Sequence, residues 1–299
     1  MRHVTATLPN EVTFLTTYKM ICKRILPSPD LSNFIKEYLT IHLIFDKSFS
    51  VPPKAYPVNP EEGIRFLIKG NLFAECPDLG TYEKRPTVTI FGQPNSRQNL
   101  FTTSEYLMIH ARFQPGGLFK LLRIPMTELV HQNFDAELIL GSEIKEIQEK
   151  LSEANNYEAM IFILNTYFLK KLSQIKNHEQ PIDKIGKMIL DNPQGFNLDK
   201  TAKEACLSHR QFEKRFAQQI GITPKYFARI CRFYQAYELK EYRPTLDWLS
   251  VAVQTGYNDY QHLVKDFKQF AGTTPNELIQ ESLNNPERRL NVSDGFRGV

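Results

Sequence analysis

The chain has 299 residues, of which 41% are hydrophobic and 23% charged, with a net charge of +4. That length and composition describe folded material for two ordinary domains and exclude an intrinsically disordered polypeptide. The first residues, MRHVTATLPNEVTF, carry no apolar run of signal-peptide length, and no segment approaches the ~20 apolar residues of a membrane span, so a cytoplasmic protein with no membrane partner is expected.

Short strands are predicted from about Met20 to Phe113. EYLTIHLIF, GIRFLIKGNLFAE, PTVTIFG and SEYLMIHARF are rich in Ile, Leu, Phe and Tyr and are bounded by Pro, Gly and Asn. LTIHLIF and LMIHARF partly alternate, as half-buried strands do. PSPDLSNFIKEY is expected to begin with a turn or short helix. Regular spacing of such strands predicts a small barrel or sandwich. The pattern changes at Pro115-Gly116-Gly117, after which GLFKLLRI and PMTELVHQ follow. Between about Ser142 and Lys176, Ile144, Ile147 and Leu151 and then Ile161, Leu164, Phe168 and Leu172 recur at helical spacing. That spacing predicts an amphipathic helical hairpin; packing over the barrel is its plain reading and dimerisation its functional one, and both can hold at once.

Asn177–Pro181 (NHEQP) reads as a linker, residues 181 to about 284 as an all-helical domain, and residues 285–299 as a flexible tail. The fold class expected is therefore α+β: residues 1–178 a small β-barrel or sandwich with packed helices, and residues 181–284 all-α. Cys22, Cys76, Cys206 and Cys231 form no CxxC and have no His at zinc-ligand spacing, so they are read as small buried residues in a reducing compartment.

The last third of the chain repeats itself. SHRQFEKRFAQQIGITP from Ser208 matches DYQHLVKDFKQFAGTTP from Asp259 at a constant shift of 51 residues, which superposes Phe216 on Phe267, Gly221 on Gly272 and Pro224 on Pro275. In the first copy Ala202 and Ala205 let a second helix cross closely, and Ser208 with Gln211 makes a capping box. Phe212 and Phe216 point inward, Gly221 stops the helix, and Thr223-Pro224 starts the next. In the second copy Ala252, Leu263 and Phe267 face inward, Asn258 or Asp259 caps, and Thr274 with Glu277 forms another box. The outward residues are Ser208, His209, Arg210, Gln211, Lys214 and Arg215 in one copy and Tyr260, Gln261, His262, Lys265 and Lys268 in the other. Donors and cations near a helix N-terminus are what a helix-turn-helix places in the major groove. Pro224 to about Arg243 can form one continuous helix of roughly 30 Å, close to the ~34 Å between successive turns on one duplex face. Arg229 and Arg232 on it are expected to meet phosphates. From Pro181 onward there are 17 Lys+Arg against 14 Asp+Glu, so the repeat carries this inference rather than the charge.

At these residues, ACLSHRQFEKRFAQQIGITPKYF, ARICRFYQAYELK and TGYNDYQHLVKDFKQFAGTTPNEL, the sequence resembles the C-terminal domain of the AraC/XylS family of bacterial transcription regulators. The resemblance implies a seven-helix domain that recognises double-stranded promoter DNA, activates transcription and works with RNA polymerase. It also implies DNA-facing roles for Arg210, Gln211, Lys214 and Arg215, and for Tyr260, Gln261, His262 and Lys265. Asp266 departs from the family's frequent Arg before the Phe-Lys pair, which implies a rearranged set of phosphate contacts. VNPEEGIRFLI, Gly92-Gln93 and FQPGGLFKLL leading to PMTEL are similar, more loosely, to the barrel-like sensor region of a subset of these regulators.

Such sensors hold small effectors in apolar cavities with a few polar anchors. His42, Arg65, His110 and Arg112 on predicted strands are the candidate effector contacts, with Arg65 or Arg112 able to clamp a carboxylate or phosphate. Pairing of these arginines with Glu61, Glu62 or Glu105 is the competing expectation. No His-x-His pair supports a metal, no cofactor is expected, and no GxSxG, phosphate loop or HExxH supports an enzyme. Two rivals stand beside an effector-controlled activator: a regulator whose first half only dimerises or binds a protein, and an enzyme tethered to DNA.

Overall fold

The computed structural model describes residues 19–46, 50–175 and 180–286. The end of the expected hairpin at 176, the centre of the expected linker at 177–179, nearly all of the expected tail and the N-terminal stretch lie outside the described residues.

Among the described residues ten strands form two antiparallel sheets. The larger has the order β1 (Lys19–Ile25), β2 (Ile35–Ile44), β9 (Glu105–Phe113), β4 (Gly63–Lys69), β7 (Val88–Phe91) and β10 (Asn133–Asp135). The smaller has the order β3 (Lys54–Tyr56), β8 (Gln98–Thr102), β5 (Leu72–Cys76) and β6 (Thr81–Lys84). The apolar stretches of the sequence became β2, β4, β5, β7 and β9. The segment opening PSPDL is a short 3₁₀ turn at Pro29–Leu31.

The side-chain alternation of β9 separates two environments. Leu107, Ile109, Ala111 and Phe113 join a core with Ile64, Phe66, Leu118 and Phe168, under α1 (Gly117–Leu122), α2 (Ala136–Leu140), α3 (Glu143–Glu153) and α4 (Tyr157–Ser173). Ile144, Ile147 and Leu151 of α3 and Ile161, Leu164 and Phe168 of α4 are buried in it, as their spacing requires. Tyr106, Met108, His110 and Arg112 look the other way, toward the smaller sheet.

Seven α-helices follow among the described residues: α5 (Ile185–Asp191), α6 (Leu198–Glu204), α7 (His209–Ile220), α8 (Pro224–Tyr242), α9 (Trp248–Gln254), α10 (Tyr260–Ala271) and α11 (Pro275–Ser282). Phe212, Phe216, Ala202 and Phe227 pack in one core, and Leu263, Phe267, Phe270 and Phe233 in a second. Helix α8 contributes to both. Its 19 residues span about 28 Å at ~1.5 Å per residue.

The two halves are joined at the C-terminal ends of α7 and α10. Val58 donates its N–H to the Phe270 carbonyl at 2.9 Å and is itself buried in the second helical core. Arg97 donates to the Ala271 carbonyl at 3.2 Å and pairs with Glu281 at 2.7 Å. Lys120 meets Asp183 at 3.1 Å, and Asp183 also accepts from Gln219 at 2.9 Å. Gly221 has φ +99° and lies so close to the first half that a Cβ there would sit 2.6 Å from Val130 Cγ2. Glycine is thus needed twice at this position, once for the left-handed helix stop and once for clearance.

Cys76 and Cys231 are buried, but Cys206 is exposed, which corrects the expectation of four buried thiols. Cys206 sits in the turn between α6 and α7, where the chain needs a left-handed residue (φ 56°) and its side chain is exposed while Ala205 and Leu207 on either side face the core.

Candidate functional site

Each helix-turn-helix places a capped helix with its N-terminal half in solvent. Ser208 caps α7, and Gln211 returns the bond: its Oε1 accepts from Ser208 N at 3.2 Å and from Ser208 Oγ at 3.0 Å. Asp259 caps α10 by accepting from His262 N at 2.8 Å, which leaves Asn258 exposed beside it. Arg210, Lys214 and Arg215 on α7 are exposed, as are Gln261, Lys265 and Lys268 on α10, and Tyr260 is half-buried. His209 is exposed but faces Asp199 at 2.9 Å, and His262 faces Asp259 at 3.0 Å, so both imidazoles already have a local acceptor.

The repeat is not uniform in its turn. The preceding helices α6 and α9 are offset by 50 residues and the reader helices by 51. The second turn therefore holds one more residue. Gly256 (φ +77°) fills the left-handed place that Cys206 fills in the first.

Arg229 and Arg232, expected at phosphates, have partners within the protein. Arg229 Nη2 donates to Asp266 Oδ1 at 2.6 Å and to Gln269 Oε1 at 2.6 Å. Arg232 lies 3.8 Å from Asp266 Oδ2 and stacks its guanidinium on Tyr257, 4.4 Å from the ring centroid. Asp266 is buried and also accepts from Tyr257 Oη at 3.0 Å. These two cations tie α8 to the second reader unit rather than standing free for phosphate. Asp266 drew notice in the sequence as a departure from a pattern; the arginines that answer it lie a helix away.

A cavity of about 390 Å³ lies between the two sheets and α8. Leu39, Ile41 and Leu43 of β2 and Met108 of β9 give it an apolar wall, and Arg65, His110 and Arg112 line it as well. Tyr234, Glu238 and Tyr242 of α8 close it. The sequence did not single out this α8 face, whose Tyr and Glu residues carry no motif.

The four candidate anchors divide. His42 lies outside the cavity, on the opposite face of β2, where its Nδ1 is 2.7 Å from Tyr157 Oη of α4. It shares parity with Tyr38 and Thr40, whereas the cavity takes Leu39, Ile41 and Leu43. Arg112 is buried but neutralised. It donates to Glu37 Oε1 at 2.5 Å and pairs with Glu61, whose other oxygen accepts from Tyr56 at 2.7 Å. Glu62 does not pair with either arginine; it accepts from Leu118 N at the start of α1 at 3.1 Å. Burial pushes its carboxyl up to about 8 against the two backbone N–H groups that favour the anion. His110 is fully buried, and desolvation first and then the charge of Arg65 hold its pKa well below the ordinary imidazole value. Among the described residues no group of three or more His, Cys, Asp or Glu side chains could hold a metal ion.

Residues 201–281 match a family model described as a helix-turn-helix domain, HTH_18. The C-terminal domain is an AraC-type helix-turn-helix domain. The HTH-type transcriptional regulator MtrA of Neisseria gonorrhoeae is 29% identical over 94 residues, which cover 31% of this chain and 31% of that relative. The chain thus matches about a third of that relative's length. Residues 23–135, ahead of the AraC-type domain, match a family described as a domain of unknown function, DUF6597. Among solved structures, an apo variant of ToxT from Vibrio cholerae strain SCE256 is similar over 81% of this chain and 97% of that one, at 15% identity and a TM-score of 0.46. The DNA-binding domain of AdpA in complex with a target DNA is similar over 38% of this chain and 99% of that one, at 23% identity and a TM-score of 0.32. No described helix is long and apolar enough to cross a membrane.

Proposed function

We propose that the chain is a sequence-specific DNA-binding transcription regulator, an activator at promoter sites, whose DNA-reading domain is controlled by a small effector held in its first domain. The observation that carries this is the pair of capped helices α7 and α10. Each exposes cations and amides near its N-terminus, and both belong to the AraC-type domain. An effector is supported by the position of the cavity. Its closing side is α8, the helix that joins the two readers, so a ligand there touches the DNA-reading domain directly. Coupling then runs through these direct contacts and through the docked ends of α7 and α10. Work with RNA polymerase, and dimerisation through the outer face of α4 where Phe162 is 71% exposed, belong to the same reading.

The test captures genomic fragments with the whole protein, then measures affinity against salt for wild type, Arg210→Ala and Lys265→Ala. If Arg210 reads a guanine, its loss costs about 1–3 kcal/mol and relaxes preference at one base. A phosphate contact by Lys265 flattens the salt slope by about one ion. Unchanged affinity and slope in both variants would overturn the reading.

A further inference from the structure

We propose that the cavity takes an apolar monocarboxylic acid whose carboxylate is held by Arg65. This deepens the effector reading above and rests on it. Arg65 is only 8% exposed and lines the cavity. Its guanidinium lies over the Phe91 ring, 4.8 Å from the centroid, and among the described residues it has no hydrogen-bond or ion-pair partner. A guanidinium offers five N–H donors in a planar fork suited to a carboxylate, and a buried cation without an anion is costly. Arg112 on the same wall shows the contrast, since two carboxylates already neutralise it. Arg85, itself buried, lies close enough to feel the charge of Arg65, so an anion there relieves both.

His110 supplies the second point of contact. It stands directly across from Arg65 in the β4–β9 register, so the two side chains share a face. Its ring packs on the same Phe91, with centroids 4.9 Å apart, and its Nε2 is buried without a partner. Held neutral by burial, it can donate one hydrogen bond without adding charge. One cation and one neutral donor suit a single carboxylate. A phosphate monoester would bring a second negative charge toward Glu61 and Glu238, which line the same space. The β2 and Met108 wall takes the apolar body, and the volume falls in the range of pockets that enclose small ligands.

Calorimetry on the full chain tests this with octanoate, 4-phenylbutyrate, octanol and octyl phosphate, against wild type, Arg65→Met and Arg65→Lys. At least one acid should bind wild type tenfold more tightly than octanol or octyl phosphate. Arg65→Met should weaken that acid at least tenfold and leave octanol unchanged, and Arg65→Lys should recover part of the loss. Equal binding of acid and alcohol to wild type, stronger binding of the phosphate, or acid binding that survives Arg65→Met would each overturn it. The wild-type comparison decides alone if the methionine variant does not fold. DNA affinity measured on the same ligand-free protein separates the two readings. DNA binding with no acid binding sinks this inference alone, and acid binding with no DNA binding sinks the regulator.

Discussion

Asp266 of α10 binds Arg229 of α8, Oδ1 to Nη2, at 2.6 Å. The carboxylate is buried and the guanidinium only partly so, which makes the pair asymmetric. Removing Asp266 takes the carboxylate from two arginines and the acceptor from the Tyr257 hydroxyl, while Arg229 keeps Gln269 and Arg232 keeps the Gly256 carbonyl. Removing Arg229 leaves the carboxylate with Arg232 and Tyr257.

Asp266→Ala should therefore lower stability by about 1–3 kcal/mol, the usual cost of unmade buried bonds, measured by denaturant unfolding. Arg229→Ala should leave the salt slope of DNA binding unchanged, because its charge is already engaged within the protein. A slope flattened by about one ion would return Arg229 to the phosphate role read from the sequence.

Cys206→Gly should stabilise. Cys206 holds φ 56° at the place where Gly256 sits in the second unit. Left-handed conformation costs a non-glycine residue on the order of 1 kcal/mol or more, partly offset by the added freedom of the unfolded chain. A rise of ~2 °C in melting temperature is expected, with DNA affinity unchanged.

Glu62 predicts a pH dependence. Its folded pKa is raised, from an ordinary 4.5 to about 8, by burial. Between those values the unfolded state releases the proton that the folded state keeps, so stability declines as pH rises through that window and levels off above it. Glu62→Gln imitates the neutral carboxyl. Its melting temperature should change less between pH 5 and pH 8 than that of wild type, and it should exceed wild type at pH 8. Parallel curves for the two proteins would contradict the assignment.

Arg97 bridges the halves through the Ala271 carbonyl and Glu281. Arg97→Ala should speed hydrogen exchange in the last turn of α10 and in α11, while the first helical core, built around Phe212 and Phe216, keeps its protection. Faster exchange across both cores would mean a global loss of stability instead.

The AraC-type domain was largely legible because its signals are local. Caps at Ser208 and Thr274, stops at Gly221 and Gly272, and Phe residues one turn apart each specify a helix end or face within a few positions. The first domain was legible only in its apolar strands. The edge strands β1, β3 and β6 and the inner strand β8 are polar or half-exposed, and their pairing comes from distant partners such as the β1–β2 register. His42 was misplaced for a related reason. A strand's alternation tells which residues share a face, but the side on which a cavity lies depends on the second sheet. The pairing of Arg229 and Arg232 was not legible because their partner, Asp266, lies on another helix.

Helix α8 is at once the spacer between the readers and a lid over the cavity. Inserting a single residue into it would turn everything beyond by about 100°. The lid's tyrosines and the second recognition helix would swing together. On the proposed function, half-site spacing and ligand choice are thus written in one rod, and neither can drift without rewriting the other.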